Sequence, residues 1–279
     1  MMPFHLLLAV ILLLTSCSCG NDPNKSRTNS VKIFLVAGQS NAKGLGNQTE
    51  SPDNTSLPTF EYFTEDNSIR PIKDPVGYAG CYFEAAESGS AWPAFSKRYY
   101  ELSGDSIVIV QAAKGGSACH KLAETNNWGN WSKDGNLFNC SINKAQMASQ
   151  YMKTSISGVI WSQGENDADA INSGIITKTE YKDALKDVIK RYRGLLGENV
   201  KFYIILTGYN TTTPTKHGSN AVRAAQDEIA QEDSSTFIVY RRTDKFPEFG
   251  WMHDAVHYNQ QGLNDIGTVS ADIIFKSNN

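Results

Sequence analysis

Three short polar clusters carry residue types that can do chemistry together: Gly38-Gln39-Ser40-Asn41, Gln163-Gly164-Glu165 followed by Asp167, and His253-Asp254 followed by His257. Their shared chemistry is nucleophilic acyl transfer. A serine hydroxyl is too weak an acid to attack unaided, so it needs a base within hydrogen-bond reach, and that base needs an orienting carboxylate. Asp254 and His257 stand three residues apart, which lets the carboxylate hold one imidazole nitrogen while the other faces Ser40. Taken singly, each residue has a plainer use. Ser40, Asn41 or Asp254 can cap a helix, and Gln163 and Glu165 can satisfy loop backbone. Their joint occurrence favours the catalytic reading. His253, Asp254 and His257 could also coordinate a cation, but no further ligand cluster accompanies them, so neither a metal nor an organic cofactor is expected.

The elements that must position these clusters follow from apolar runs. Residues 33–37 (Ile-Phe-Leu-Val-Ala) form an unbroken apolar stretch suited to a parallel strand covered on both faces, with Gly38 allowing a tight turn after it. Further strands are expected over 106–112, 157–161, 201–207 and 236–240, and helices over 92–102, 141–153, 179–196, 220–231 (capped by Ser219) and 260–275. Residues 43–91 are rich in Gly, Pro, Asn, Ser and Asp without sustained periodicity, and read as a long functional loop. Strands alternating with helices predict an α/β fold, a three-layer α/β/α sandwich around a mostly parallel, five-stranded sheet. Such a sheet brings the carboxyl ends of its strands to one edge, where ligands bind.

The chain has 279 residues and is 40% hydrophobic, enough for one large domain, expected over 31–279. A net charge of −3 gives no basic excess, so nucleic acid is not an expected partner. Residues 1–16 read as a signal peptide. Leu14-Thr15-Ser16-Cys17 resembles a bacterial lipobox with Cys17 as the lipidated residue, and 17–30 reads as a tether. The expected product is an exported lipoprotein of the cell envelope, otherwise secreted, touching membrane through its lipid only. Four further cysteines (Cys19, Cys81, Cys119, Cys140) permit disulfides in an exported protein. Cys119 and Cys140, flanking a loop rich in Asn, Gly and Trp, are the expected pair.

Gly-Gln-Ser-Asn on the first strand, Gly115-Gly116-Ser117 after the second, Trp161-x-Gln-Gly-Glu-x-Asp167 after the third and Asp254-x-x-His257 near the end occur in that order. Over residues 31–275 the chain resembles the SGNH-type hydrolases, within them the sialate O-acetylesterase and acetylxylan esterase group. The Gly-x-Ser-x-Gly elbow of the α/β-hydrolases is missing, because Ala42 holds its fifth position. The resemblance implies a flavodoxin-like fold and a triad of Ser40, His257 and Asp254. It also implies an oxyanion hole from the Ser40 N–H, a glycine N–H at Gly115 or Gly116, and the Gln163 side-chain amide. Gln39 and Asn41 would bind substrate or support the site. Glu165 and Asp167 would hold it together or contact sugar hydroxyls, with Glu165 alternatively assisting the histidine. One departure, Ala118-Cys119-His120, stands where relatives often carry an acidic residue and a tryptophan.

The expected activity is removal of O-acetyl groups from carbohydrate through an acetyl-serine intermediate. The sugar stays open between acetylated xylan, another polysaccharide and O-acetylated sialic acid, with the compact chain closer to the acetylxylan enzymes. The alternatives are a non-catalytic glycan-binding lipoprotein and a lipolytic or thioester-cleaving hydrolase of the same type. The polar, Gly-rich 43–91 segment weighs against a long acyl chain.

Overall fold

A computed structural model describes residues 30–279. The expected signal peptide (1–16), Cys17, Cys19 and the expected tether up to residue 29 lie outside the described residues. A seven-stranded sheet runs through the protein. The strands are β1 (Val31–Gly38), β2 (Thr59–Phe63), β3 (Ser68–Pro71), β4 (Ser106–Ala113), β5 (Ile156–Ser162), β6 (Phe202–Ile205) and β7 (Thr236–Tyr240), in spatial order β3-β2-β4-β1-β5-β6-β7. All neighbours are parallel except the antiparallel β2–β3 pair.

Strand β1 is central, and its apolar run serves two cores by alternation. Ile33, Leu35 and Ala37 face helices α3 (Asn136–Met152), α4 (Glu165–Asn172), α5 (Lys178–Leu196) and α6 (His217–Glu232). Phe34 and Val36 face α2 (Trp92–Ser103) and α8 (Gln260–Ser277), in a core that Phe246 of the one-turn α7 (Phe246–Phe249) also joins. Phe34 meets Phe95 and Tyr99 edge-on, each with ring centroids 5.1 Å away. Gly267 lets α8 press on α2, since a Cβ there would lie 2.3 Å from the Ala91 carbonyl oxygen. The three-layer expectation holds.

Three expectations are corrected. The sheet has seven strands rather than five, because the 43–91 segment contributes β2 and β3. β2 escaped notice because the buried Glu61 interrupts its apolar pattern, and β3 is a short edge strand with exposed Arg70 and Pro71. Ser219 does not cap α6. That helix begins at His217, and the Gly218 N–H finds its partner in Asn172 Oδ1 of α4 at 2.7 Å. The disulfide joins Cys81 to Cys140, with Cα atoms 5.9 Å apart, and not Cys119 to Cys140. Leu137, Phe138, Ser141 and Ile142 turn inward on α3, leaving Cys140 on its flank beside the 80–83 loop, whereas Cys119 is a buried free thiol. Among the described residues no helix is long and apolar enough to cross a membrane.

Candidate active site

The chain leaves β1 toward β4 on one side, and the later strands β5 to β7 build the other, so the sheet's switch of direction falls beside the β1 tip. Gly38 has φ +145°, and a Cβ on it would lie 2.0 Å from the Ser162 carbonyl oxygen of β5. Only glycine allows that approach. Gln39 N–H then donates to the same oxygen at 3.0 Å, and Ser40 opens a single helical turn, α1 (Ser40–Lys43).

His257 comes to Ser40 from 217 residues away, with Nε2 2.9 Å from Ser40 Oγ. Its Nδ1 is 2.7 Å from Asp254 Oδ2. The other carboxylate oxygen accepts the backbone N–H groups of Val256 and His257, each at 2.8 Å, so one aspartate fixes both ring and loop. Partial burial pushes Asp254 up, but the ring and the two backbone donors outweigh it and hold the carboxyl at about 2. The acid is ionised wherever an imidazole can act as a base, and the arrangement can relay a proton from hydroxyl to ring. His253 is exposed and takes part through its backbone, whose N–H donates to the His257 carbonyl at 2.8 Å. Among the described residues no three His, Cys, Asp or Glu side chains gather as a metal site would need.

Asn41 ties the three clusters together. Its Nδ2 donates to Glu165 Oε1 at 2.7 Å and to the Val256 carbonyl at 3.2 Å, and its Oδ1 accepts from Tyr258 N–H at 3.3 Å. Glu165 is buried at the cavity wall, and its Oε2 has no partner. Burial pushes its pKa up, while the Asn41 hydrogen bond and the nearby His257 pull the other way without offsetting it. Asp167 is wholly buried and accepts from Cys119 N–H, His120 N–H (2.8 Å each) and Gln163 Nε2 (2.5 Å). It pins the loop after β4 to α4 and touches no cavity.

The oxyanion donors need redistribution. Gly115 N–H is taken by Glu84 Oε2 at 3.1 Å. Gln163 Nε2, with two hydrogens, already faces three acceptors in Gln39, Ser117 and Asp167. Gln39 Oε1 accepts both Gln163 and the Gly164 N–H at 3.2 Å, which makes it a brace. Of the expected oxyanion donors, the N–H groups of Ser40 and Gly116 are the two for which no protein acceptor is found among the described residues. Asn166, the variable position in the Gln-Gly-Glu-x-Asp block, holds the Gly116 turn by donating to its carbonyl at 2.5 Å. Glu84, Lys43 and Trp128 also line the cavity and were not singled out from the sequence. Burial raises Glu84, but the Lys114 hydrogen bond and Gly115 N–H more than offset it and keep the carboxyl low. The cavity measures about 380 Å³, with Leu45, Trp128 and Val256 as its larger apolar walls.

The family model described as "Carbohydrate esterase, sialic acid-specific acetylesterase" matches residues 30–276. The chain belongs to this family. It is a carbohydrate esterase, a hydrolase of carboxylic ester bonds, and its family chemistry is the O-deacetylation of carbohydrate. No curated protein sequence matches the esterase. Among solved structures it is similar to a protein from Arabidopsis thaliana (TM-score 0.69, 17% identity, 88% of this chain and 98% of that one). It is similar to NanS as well (TM-score 0.61, 14% identity, 89% and 97%). A carbohydrate acetylesterase from Xanthomonas citri aligns with TM-score 0.51 and 17% identity, over 87% of this esterase and 56% of its own chain. At these identities the likeness concerns the fold.

Proposed function

We propose that the esterase removes O-acetyl groups from a carbohydrate through an acetyl-serine intermediate, with Ser40 as nucleophile, His257 as base and Asp254 as its orienting acid. The single observation that carries this reading is the unbroken chain from Ser40 Oγ to His257 Nε2 (2.9 Å) and from His257 Nδ1 to Asp254 Oδ2 (2.7 Å). Nε2 takes the Ser40 proton as Oγ bonds to the acetyl carbonyl carbon. The resulting oxyanion is held by the N–H groups of Ser40 and Gly116. Collapse breaks the bond to the sugar oxygen, which leaves with the proton from His257. Water then attacks the acetyl-serine as the histidine again takes a proton, the bond to Ser40 Oγ breaks, and acetate departs as His257 returns the proton to Oγ. Preorganised neutral donors are what such a charge requires, and losing one typically costs about 10²–10³ in turnover.

A small acyl group suits a cavity of about 380 Å³ in which Leu45, Trp128 and Val256 are the larger apolar side chains among mostly polar neighbours. The Cys81–Cys140 disulfide supports an oxidising, exported setting, in line with a lipid anchor at Cys17. Hydrolysis of 4-nitrophenyl acetate against longer acyl esters tests the reading, with Ser40→Ala as control. Turnover by wild type on acetate alone, abolished in Ser40→Ala, is the expected outcome. Equal turnover by both proteins would refute the triad, and no turnover by either would favour a glycan-binding protein.

A further inference from the structure

A second cavity adjoins the one holding Ser40. It measures about 340 Å³ and is walled in part by Tyr82, Asn127, Asn130 and Glu124. Lys114 and Trp128 belong to the walls of both cavities, so the two lie side by side along those side chains. The aromatic residues along them are turned to solvent, Tyr82 at 60% exposure and Trp128 at 42%. Neither orientation is a relaxed accident. Tyr82 holds φ +74°, a left-handed conformation that a bulky residue keeps only when its surroundings impose it. The adjoining Cys81–Cys140 disulfide ties it to α3. Trp128 lies over the Gly116 turn so closely that a Cβ at 116 would sit 2.1 Å from the indole. Flat rings beside amide and carboxylate groups suit a pyranose, whose axial C–H faces stack while its hydroxyls both donate and accept.

Charge narrows the class of sugar. No arginine lines either cavity. Lys114 Nζ is 2.5 Å from Glu84 Oε1, and Lys43 Nζ is 3.5 Å from Glu84 and 3.2 Å from Glu87. Glu124 and Asp134 stand in the second cavity's wall. An acidic sugar would bring a carboxylate to cavities whose cations are already paired and whose remaining charges are negative, without the arginine fork that such a group favours.

We propose that this second cavity is a subsite for an unacetylated pyranose unit flanking the acetylated one, so that the enzyme works on neutral glycan chains rather than on free acidic monosaccharides. The proposal rests on the deacetylase reading but is tested by binding, which does not need turnover. In a Ser40→Ala background, calorimetry is run with neutral β-linked tetrasaccharides of xylose, mannose and glucose, and with N-acetylneuraminic acid. At least one tetrasaccharide should bind, at least about 10-fold more tightly than the acidic sugar, and adding Tyr82→Ala or Trp128→Ala should weaken it about 10-fold, the size of one stacked contact of about 1.4 kcal/mol. In the active enzyme, Tyr82→Ala should keep wild-type hydrolysis of 4-nitrophenyl acetate and lose the gain in kcat/KM on longer acetylated oligosaccharides. Tyr82 is exposed, so its variant decides the matter even where Trp128→Ala does not fold. The subsite is overturned if no tetrasaccharide binds, if both variants bind as the parent does, or if N-acetylneuraminic acid binds more tightly. Failure of Ser40→Ala to abolish ester hydrolysis would overturn the triad alone and leave these affinities to judge the subsite.

Discussion

Replacing Asn41 by alanine tests whether the three polar clusters act as one unit. The side chain makes one short hydrogen bond to the Glu165 carboxyl (2.7 Å) and two longer ones, to the Val256 carbonyl (3.2 Å) and from Tyr258 N–H (3.3 Å). A bond to such a carboxyl contributes about 1.5–3 kcal/mol and each longer one about 0.5–1.5, giving about 4 kcal/mol in total. The loss falls in a buried place, where Glu165 Oε2 already lacks a partner and Oε1 would join it. Urea unfolding should therefore show a loss of about 4 kcal/mol. Asn41 does not line the cavity. Its effect on catalysis must pass through the placement of the Val256–Tyr258 backbone that carries His257. Well below the melting temperature, kcat for 4-nitrophenyl acetate should fall about 10²-fold, the typical cost of a slight misplacement, with KM nearly unchanged. A stability loss under about 1 kcal/mol, or a raised KM with kcat intact, would refute this assignment of roles.

Further outcomes follow from other sites. Asp254→Asn should keep the fold and lower kcat by about 10³–10⁴, measured on the same ester, because the ring loses the partner that sets its tautomer. Cys140→Ser should lower stability by about 4 kcal/mol in a chain-entropy treatment, since the bridged cysteines are 59 residues apart, and urea melts with and without reductant check it. Burial raises Glu61 from an ordinary 4.5 to about 8, so between those values the folded protein holds a proton that the unfolded chain has lost, and stability falls as pH rises. Lys144, pushed down by burial to about 8, changes little below that value. Urea melts at about pH 5 and about pH 7.5 should differ by about 3 kcal/mol in wild type and much less in Glu61→Gln.

The central layer was legible because it rests on local regularities. Ile33 to Ala37 is apolar without interruption, and Tyr181, Leu185, Val188 and Tyr192 repeat at helical spacing. The convergence of Ser40, His257 and Asp254 was legible from residue types at a strand end and in the loop before the last helix, since a parallel sheet delivers its strand ends to one rim. What escaped depended on contacts distant in sequence. Glu61 interrupts β2, yet it is accommodated by the Gly77 N–H at 3.2 Å. Cys81 pairs with Cys140 because the 80–83 turn and the flank of α3 meet in space, which spacing does not encode. The destinations of the Gly115 and Gln163 donors were equally hidden, because Glu84 lies in an aperiodic segment and Asp167 reads from sequence only as an acidic neighbour.

The nucleophile and its base hang from parts of the protein with unequal grip. Ser40 follows a strand sealed on both faces, whose amides should exchange with solvent only when the sheet itself comes apart. The 253–258 segment lies half in water, with its carboxylate outermost. On warming, the base should swing free before the sheet melts, and catalytic competence will be lost in a molecule that by spectroscopy is still folded.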